Sequence, residues 1–139
     1  MPKGDKLVKL LNEALAQEHA CQIRYLTHAA VIAGPYGEAV AGRLKEIAGD
    51  EKEHAGKLRD RITALGGTPT MAVAQGDLIP ATSLDEIIAV NLKEEEKVIK
   101  LYRSILRAAG AEGEILFETI RAILVDEQEH REELQQLRG

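Results

Sequence analysis

One short segment occurs twice in this chain, and its repetition constrains the fold more than any other feature. Asp50-Glu51-Lys52-Glu53-His54 matches Asp126-Glu127-Gln128-Glu129-His130, an offset of 126 − 50 = 76 residues. A second pair repeats at almost the same distance: Glu18 with Tyr25, and Glu95 with Tyr102, offset by 77. The one-residue difference fits in a loop. Two similar halves related by a pseudo-twofold would set equivalent side chains on either side of one centre.

The segments between the breakers read as helices. The first spans about Asp5 to Ala33 and is stopped by Gly34-Pro35-Tyr36-Gly37; the second spans about Glu38 to Leu65 and is stopped by Gly66-Gly67. A long link with Pro69, Gly76 and Pro80 follows. The third opens at Ser83, where Ser83-Leu84-Asp85-Glu86 reads as a capping box. Gly110 and Gly113 separate it from the fourth. No useful length alternates like a strand. Links that run short, long, short predict an all-α antiparallel four-helix bundle, one domain over 1–139, with the long crossover between the second and third helices.

Each helix carries an apolar seam at 3–4 spacing, and every seam contains a glutamate. Val8, Leu11, Leu15, Glu18, Gln22, Tyr25 and Ala29 form the first, and Val40, Leu44, Ile47, Glu51, His54 and Leu58 the second. Ile88, Leu92, Glu95, Ile99, Tyr102 and Leu106 form the third, and Leu116, Ile120, Ile123, Glu127, His130, Leu134 and Leu137 the fourth. In the run Glu94-Glu95-Glu96 the seam selects Glu95 as the one inward member. A buried unpaired carboxylate costs several kcal/mol, and four in one core also repel one another. No lysine or arginine falls on the seams beside them. Two divalent metals would set +4 against −4. Oxygen-rich ligation with one imidazole per metal suits iron or manganese, and ligand type alone leaves zinc open.

Glu18, Glu51, His54, Glu95, Glu127 and His130 resemble the ligand pattern of the ferritin-like diiron-carboxylate proteins, bacterioferritin above all. That pattern takes one glutamate from each of two helices and a Glu-x-x-His from each of the other two. The segment Gln22-Ile23-Arg24-Tyr25-Leu26-Thr27-His28-Ala29 is bacterioferritin-like as well. The resemblance implies two iron ions per chain and a ferroxidase-type oxidation of Fe(II) by dioxygen or peroxide. It also implies site tyrosines at Tyr25 and, by the doubled pattern, Tyr102. A rubrerythrin-like peroxide reductase is the second reading, although Val98 stands where that group has a further carboxylate. A metal-binding bundle without turnover is the third. Lys52 replaces the haem-binding methionine of bacterioferritin, so haem is not expected. The chain ends nine residues after His130 (139 − 130), so no fifth helix is expected, and a homodimer or small homo-oligomer is.

Composition excludes other classes. The net charge of −5 argues against nucleic acid, and a single Cys21 excludes a disulfide framework. No apolar run approaches the roughly 18 residues of a membrane span, and the charged start has no signal region, so a cytoplasmic protein is expected. Electrons beyond those of iron would come from an external donor.

Overall fold

Among the described residues, 2–110 and 113–138, the computed structural model holds four long helices, one 3-10 turn and no strand. They are α1 (Pro2–Val31), α2 (Gly37–Ala64), α3 (Leu84–Ala109) and α4 (Glu114–Leu137), with the 3-10 turn at Gln75–Asp77. No helix is long and apolar enough to cross a membrane. α1 packs chiefly on α2 and α3 on α4, so the bundle is two hairpins laid together. The expected boundaries hold to within a few residues; α1 starts three residues earlier, at Pro2, where a missing N–H costs a helix nothing.

The stops and starts follow from local chemistry. The Ser83 hydroxyl accepts the Glu86 N–H while the Glu86 carboxylate accepts the Ser83 N–H, so the capping box forms. Gly66 turns the chain with φ +84°, a region closed to most side chains. At Gly67 a Cβ would sit 2.6 Å from Val8 Cγ1, which fixes how closely the end of α2 approaches α1.

The seams close into one core. Leu11, Leu15, Leu44, Ile47, Leu58, Ile62, Ile99, Ile105, Ile120 and Ile123 are all within 1% of complete burial. Each such side chain contributes about 1.5–3 kcal/mol on leaving water. Two polar clusters interrupt this core.

The link of residues 65–83 lies along α1 and is fastened at successive turns. Asn12 donates to the Thr68 carbonyl and accepts the Thr70 N–H, at 3.1 and 2.9 Å. Arg59 donates to His19 Nε2, so His19 Nδ1–H donates to the Ala72 carbonyl at 2.8 Å. Ala74 N–H bonds the Ala16 carbonyl. Further on, Arg24 takes the Asp77 carbonyl and His28 the Ile79 carbonyl. The crossover thus travels the length of α1, returning the chain so that α3 can start beside α1.

Candidate metal centre

Glu18, Glu51, His54, Glu95, Glu127 and His130 meet in the middle of the bundle, none more than 2% exposed. Apolar seam residues lie on both sides of each of them in sequence, so the helices deliver the six side chains to a single layer. The ligand-type atoms form two sets, each drawn together within 4.8 Å: Glu18, Glu51, His54 and Glu127, and Glu51, Glu95, Glu127 and His130. Glu51 and Glu127 belong to both. Glu18 with His54 and Glu95 with His130 lie at opposite ends, as the repeated sequence requires.

The histidines are aimed. His54 Nε2–H donates to Asp126 at 2.9 Å, and His130 Nε2–H donates to Asp50 at 2.9 Å. Each aspartate comes from the opposing helix and is about half exposed. Holding Nε2–H leaves Nδ1 directed into the cluster, 3.1 Å from Glu51 for His54 and 2.9 Å from Glu127 for His130. The tyrosines cross between helices. Tyr25 of α1 donates to Glu95 of α3, and Tyr102 of α3 donates to Glu18 of α1, both at 2.6 Å.

Charge is poorly balanced in this layer. Burial, together with Glu127, Glu18 and Glu95, pushes the Glu51 carboxyl well above its usual range. Burial and the other carboxylates do the same to Glu127, and burial raises Glu95 despite His130 and Tyr25. Burial also acts on Glu18, but the His54 and Tyr102 donors overcome it and hold Glu18 lower. Burial opposes a charge on His54; the carboxylates of Glu127, Glu18 and Glu51 more than offset it and raise the imidazole far above normal. His130 is raised in the same way by Glu51, Glu95 and Asp50. Protons therefore stand in for missing positive charge.

They do not stand in everywhere. Glu18 Oε1, both oxygens of Glu51, His54 Nδ1, Glu95 Oε1 and Glu127 Oε2 are buried without a hydrogen-bond partner. Six unpartnered ligand-type atoms in one layer fit a donor set made for cations. The residues present suit a pair of divalent ions on charge and on donor type.

The ferritin-like domain of the ferritin family matches residues 8–139. This chain belongs to the ferritin-like family. A bacterioferritin from Desulfovibrio desulfuricans is 31% identical over 127 residues, covering 90% of this chain and 70% of that one. Among solved structures, a ferritin-like diiron-carboxylate protein from Bacillus anthracis str. Ames superposes with a TM-score of 0.93 at 28% identity, over 100% of this chain and 99% of its own. A bacterioferritin-related protein from Bacteroides fragilis, described as a dodecameric thioferritin, gives 0.88 at 26%, over 96% and 84%. The ferritin-like, all-helical bundle expected from the seams and the bacterioferritin resemblance both stand.

Three details of the seam reading are corrected. Glu94 is buried alongside Glu95, and only Glu96 of the run is exposed. Asn91 is fully buried where Leu92 was expected, and Leu92 is only partly so. A cation does enter the core: Arg24 is 2% exposed. The physical reason is shared. α3 faces both the metal-type layer and α1 with the crossover, so two adjacent stripes of it turn inward. Arg24 Nε donates to Asn91 Oδ1 at 2.8 Å, Nη1 to the Asp77 carbonyl at 3.0 Å, and Nη1 lies 3.6 Å from Glu94. Asn91 also donates to His28 Nδ1 and to the Ile87 carbonyl. Lys97 closes the cluster on Asp77 and Glu94. Arg24, His28, Asn91 and Glu94 sit beside the seams at helical spacing; that second polar stripe is the signal that points to them. Cys21 is a buried core residue beside Arg24.

Proposed function

We propose that the chain is a ferroxidase-type dinuclear iron protein. The observation that carries this reading is the set of orphaned buried carboxylate oxygens and His54 Nδ1. Two Fe(II) ions would bind as substrate or cofactor pair, one held by Glu18 and His54 and the other by Glu95 and His130, with Glu51 and Glu127 shared between them. Bound there, each Fe(II) would supply one electron to the oxidant. With hydrogen peroxide, two Fe(II) and two protons give two Fe(III) and two waters. The kinship with a bacterioferritin and with a diiron-carboxylate protein supports iron over manganese or zinc.

The protein's own residues set the terms of that chemistry. Asp126 and Asp50 fix the histidine tautomers, so Nδ1 is the ligating atom. Tyr25 and Tyr102 orient the terminal glutamates and lie close enough to give an electron and a proton. The apolar seams above and below exclude water, which strengthens every charge interaction inside.

Anaerobic titration with Fe(II) should saturate at two per chain, with ions about 3.5–4 Å apart. Adding dioxygen or peroxide should then oxidise both in a stopped-flow trace. Saturation at one ion, or Fe(II) that survives both oxidants, would overturn the reading. The paired tyrosines also favour peroxide over dioxygen, as in a rubrerythrin-like reductase; faster turnover with peroxide and an external donor would select it. A homo-oligomer is proposed in either case, in keeping with the dodecameric relative.

A further inference from the structure

The pseudo-twofold makes Tyr25 and Tyr102 equivalent in position and in hydrogen bond, so their surroundings can be matched residue by residue. The α1-to-α3 offset of 77 (102 − 25) carries Ala14 to Asn91, Gln17 to Glu94, Arg24 to Leu101 and His28 to Ile105. Around one tyrosine the matched positions are charged or polar. Around the other they are apolar or uncharged.

The difference reaches the ring itself. Arg24 Cζ lies 5.4 Å from the Tyr25 ring centroid, and no second cation–ring contact occurs among the described residues. The guanidinium cannot swing away: Asn91, the Asp77 carbonyl and Cys21 Sγ hold its three nitrogens at 2.8, 3.0 and 3.4 Å. Its counter-charge, Glu94, is shared with Lys97, 3.6 Å from each. The Leu101 side chain that matches Arg24 carries no charge. A buried cation over an aromatic face is attracted to the electron-rich ring and loses that attraction when the ring gives up an electron. Both phenols have the same route for their proton, a carboxylate oxygen at 2.6 Å. The acceptor atoms and distances match, and the charge around the rings does not.

We propose that Arg24 makes the two tyrosines unequal as electron donors, so that Tyr102, rather than Tyr25, is oxidised when the oxidant draws one electron more than the bound iron supplies. This rests on the ferroxidase-type reading. The case is met when one Fe(II) is bound and hydrogen peroxide arrives. Peroxide takes one electron from Fe(II) and one from Tyr102. The phenolic O–H bond breaks, its proton passes by way of Glu18 to the peroxide, and with one further solvent proton the products are Fe(III), a neutral tyrosyl radical and two waters. Arg24 touches neither iron nor oxidant; it is a positioning residue acting through Tyr25.

The test loads the whole protein, in a Tyr36→Phe background that removes the exposed third tyrosine, with one Fe(II) per chain. Peroxide is added anaerobically, samples are frozen within milliseconds, and the radical is read by electron paramagnetic resonance while Fe(II) loss is followed optically. Tyr102→Phe should lower the tyrosyl signal roughly tenfold or more, and Tyr25→Phe should leave it within about twofold. In Arg24→Gln the radical should survive Tyr102→Phe, whereas Arg24→Lys, which keeps the charge, should behave more like the parent. The Tyr→Phe pair leaves Arg24 in place, so it decides the matter without the Arg24 variants. Equal losses, a signal lost with Tyr25 and kept without Tyr102, or iron oxidised with no tyrosyl signal would overturn the inference. Fe(II) that persists would overturn the ferroxidase reading as well, and is distinguished by the optical trace.

Discussion

Two buried polar clusters lie side by side in this bundle, and they handle charge in opposite ways. Around Arg24 the charges of Arg24 and Lys97 meet those of Asp77 and Glu94, and His28 and Asn91 complete the hydrogen bonds. Neutral His28 uses both ring nitrogens, donating to Ile79 and accepting from Asn91, and burial lowers its pKa accordingly. Around Glu51 and Glu127 four carboxylates converge with two histidines, and lone pairs are left over. A polar cluster that closes on itself belongs to the fold. One that leaves acceptors unspent is open to a guest, and the acceptor type says which guest.

The largest expected effect is at the shared carboxylates. Glu127→Ala should abolish binding of both ions, since Glu127 belongs to both sets. Metal-free stability should hold or rise, because a repelling buried carboxyl is removed. A metal-free variant that unfolds would mean that internal partners beyond His130 hold Glu127 in place, and the contrast would collapse.

Arg24→Met should do the reverse. Removing the buried partner of a closed cluster leaves Glu94 with the half-exposed Lys97 alone and Asn91 without its donor, and costs about 3–5 kcal/mol of stability. The loss should appear in denaturant unfolding of metal-free and metal-loaded protein alike.

The glutamate run sharpens the division within a single turn of helix. Glu95→Ala should remove one ion of the two. Glu94→Ala should keep both ions and lose about 1–3 kcal/mol of stability. Glu96→Ala, at an exposed position, should change neither. Calorimetric metal titration of the three variants separates these outcomes; a lost ion in Glu94→Ala would put the boundary between the clusters in the wrong place.

Acidity offers a further contrast. Glu51 and Glu127 hold protons in the fold above their ordinary value of 4.5, and His54 and His130 above 6.5. A raised group contributes stability that is complete below its unfolded pKa and is lost as pH climbs through its folded one. Glu18, shifted down, matters only in acid. Metal-free stability should therefore fall as pH rises above 4.5, where the unfolded carboxyls lose their protons, and further above 6.5, where the unfolded imidazoles do. Metal must expel those protons, so affinity should rise over the same range and the Tm gap between loaded and metal-free protein should widen. A gap that narrows would show the protons to be elsewhere.

The smallest effect belongs to the aspartates that aim the histidines. Asp126→Asn or Asp50→Asn should weaken metal binding by about 10–100-fold with little change in metal-free stability.

The two clusters also differ in how they can be read from sequence. The repeat of Asp50–His54 at Asp126–His130, and the seam positions of Glu18 and Glu95, locate the open cluster because each ligand interrupts an apolar period at a regular place. The crossed bonds, Tyr25 to Glu95 and Tyr102 to Glu18, were half visible: the repeat shows two tyrosines, while the pairing depends on which helices are neighbours. The closed cluster was hidden for a different reason. Arg24 and Glu94 read as surface residues on their own helices, and only the crossover, laid over α1 and presenting Asp77, turns that surface into interior. Helical period reports one buried face at a time, so a helix covered on two sides shows only the stronger.

The fastening of that crossover has a consequence for how the chain can vary. Asn12, His19, Arg24 and His28 on α1 seize the main chain of Thr68, Thr70, Ala72, Asp77 and Ile79, not their side chains. The spelling of the link is thus written on the helix it lies against. Most of its side chains are free to drift, provided each grasped carbonyl and N–H stays in register, and a residue inserted or deleted between two clasps should be far more damaging than any single replacement within them.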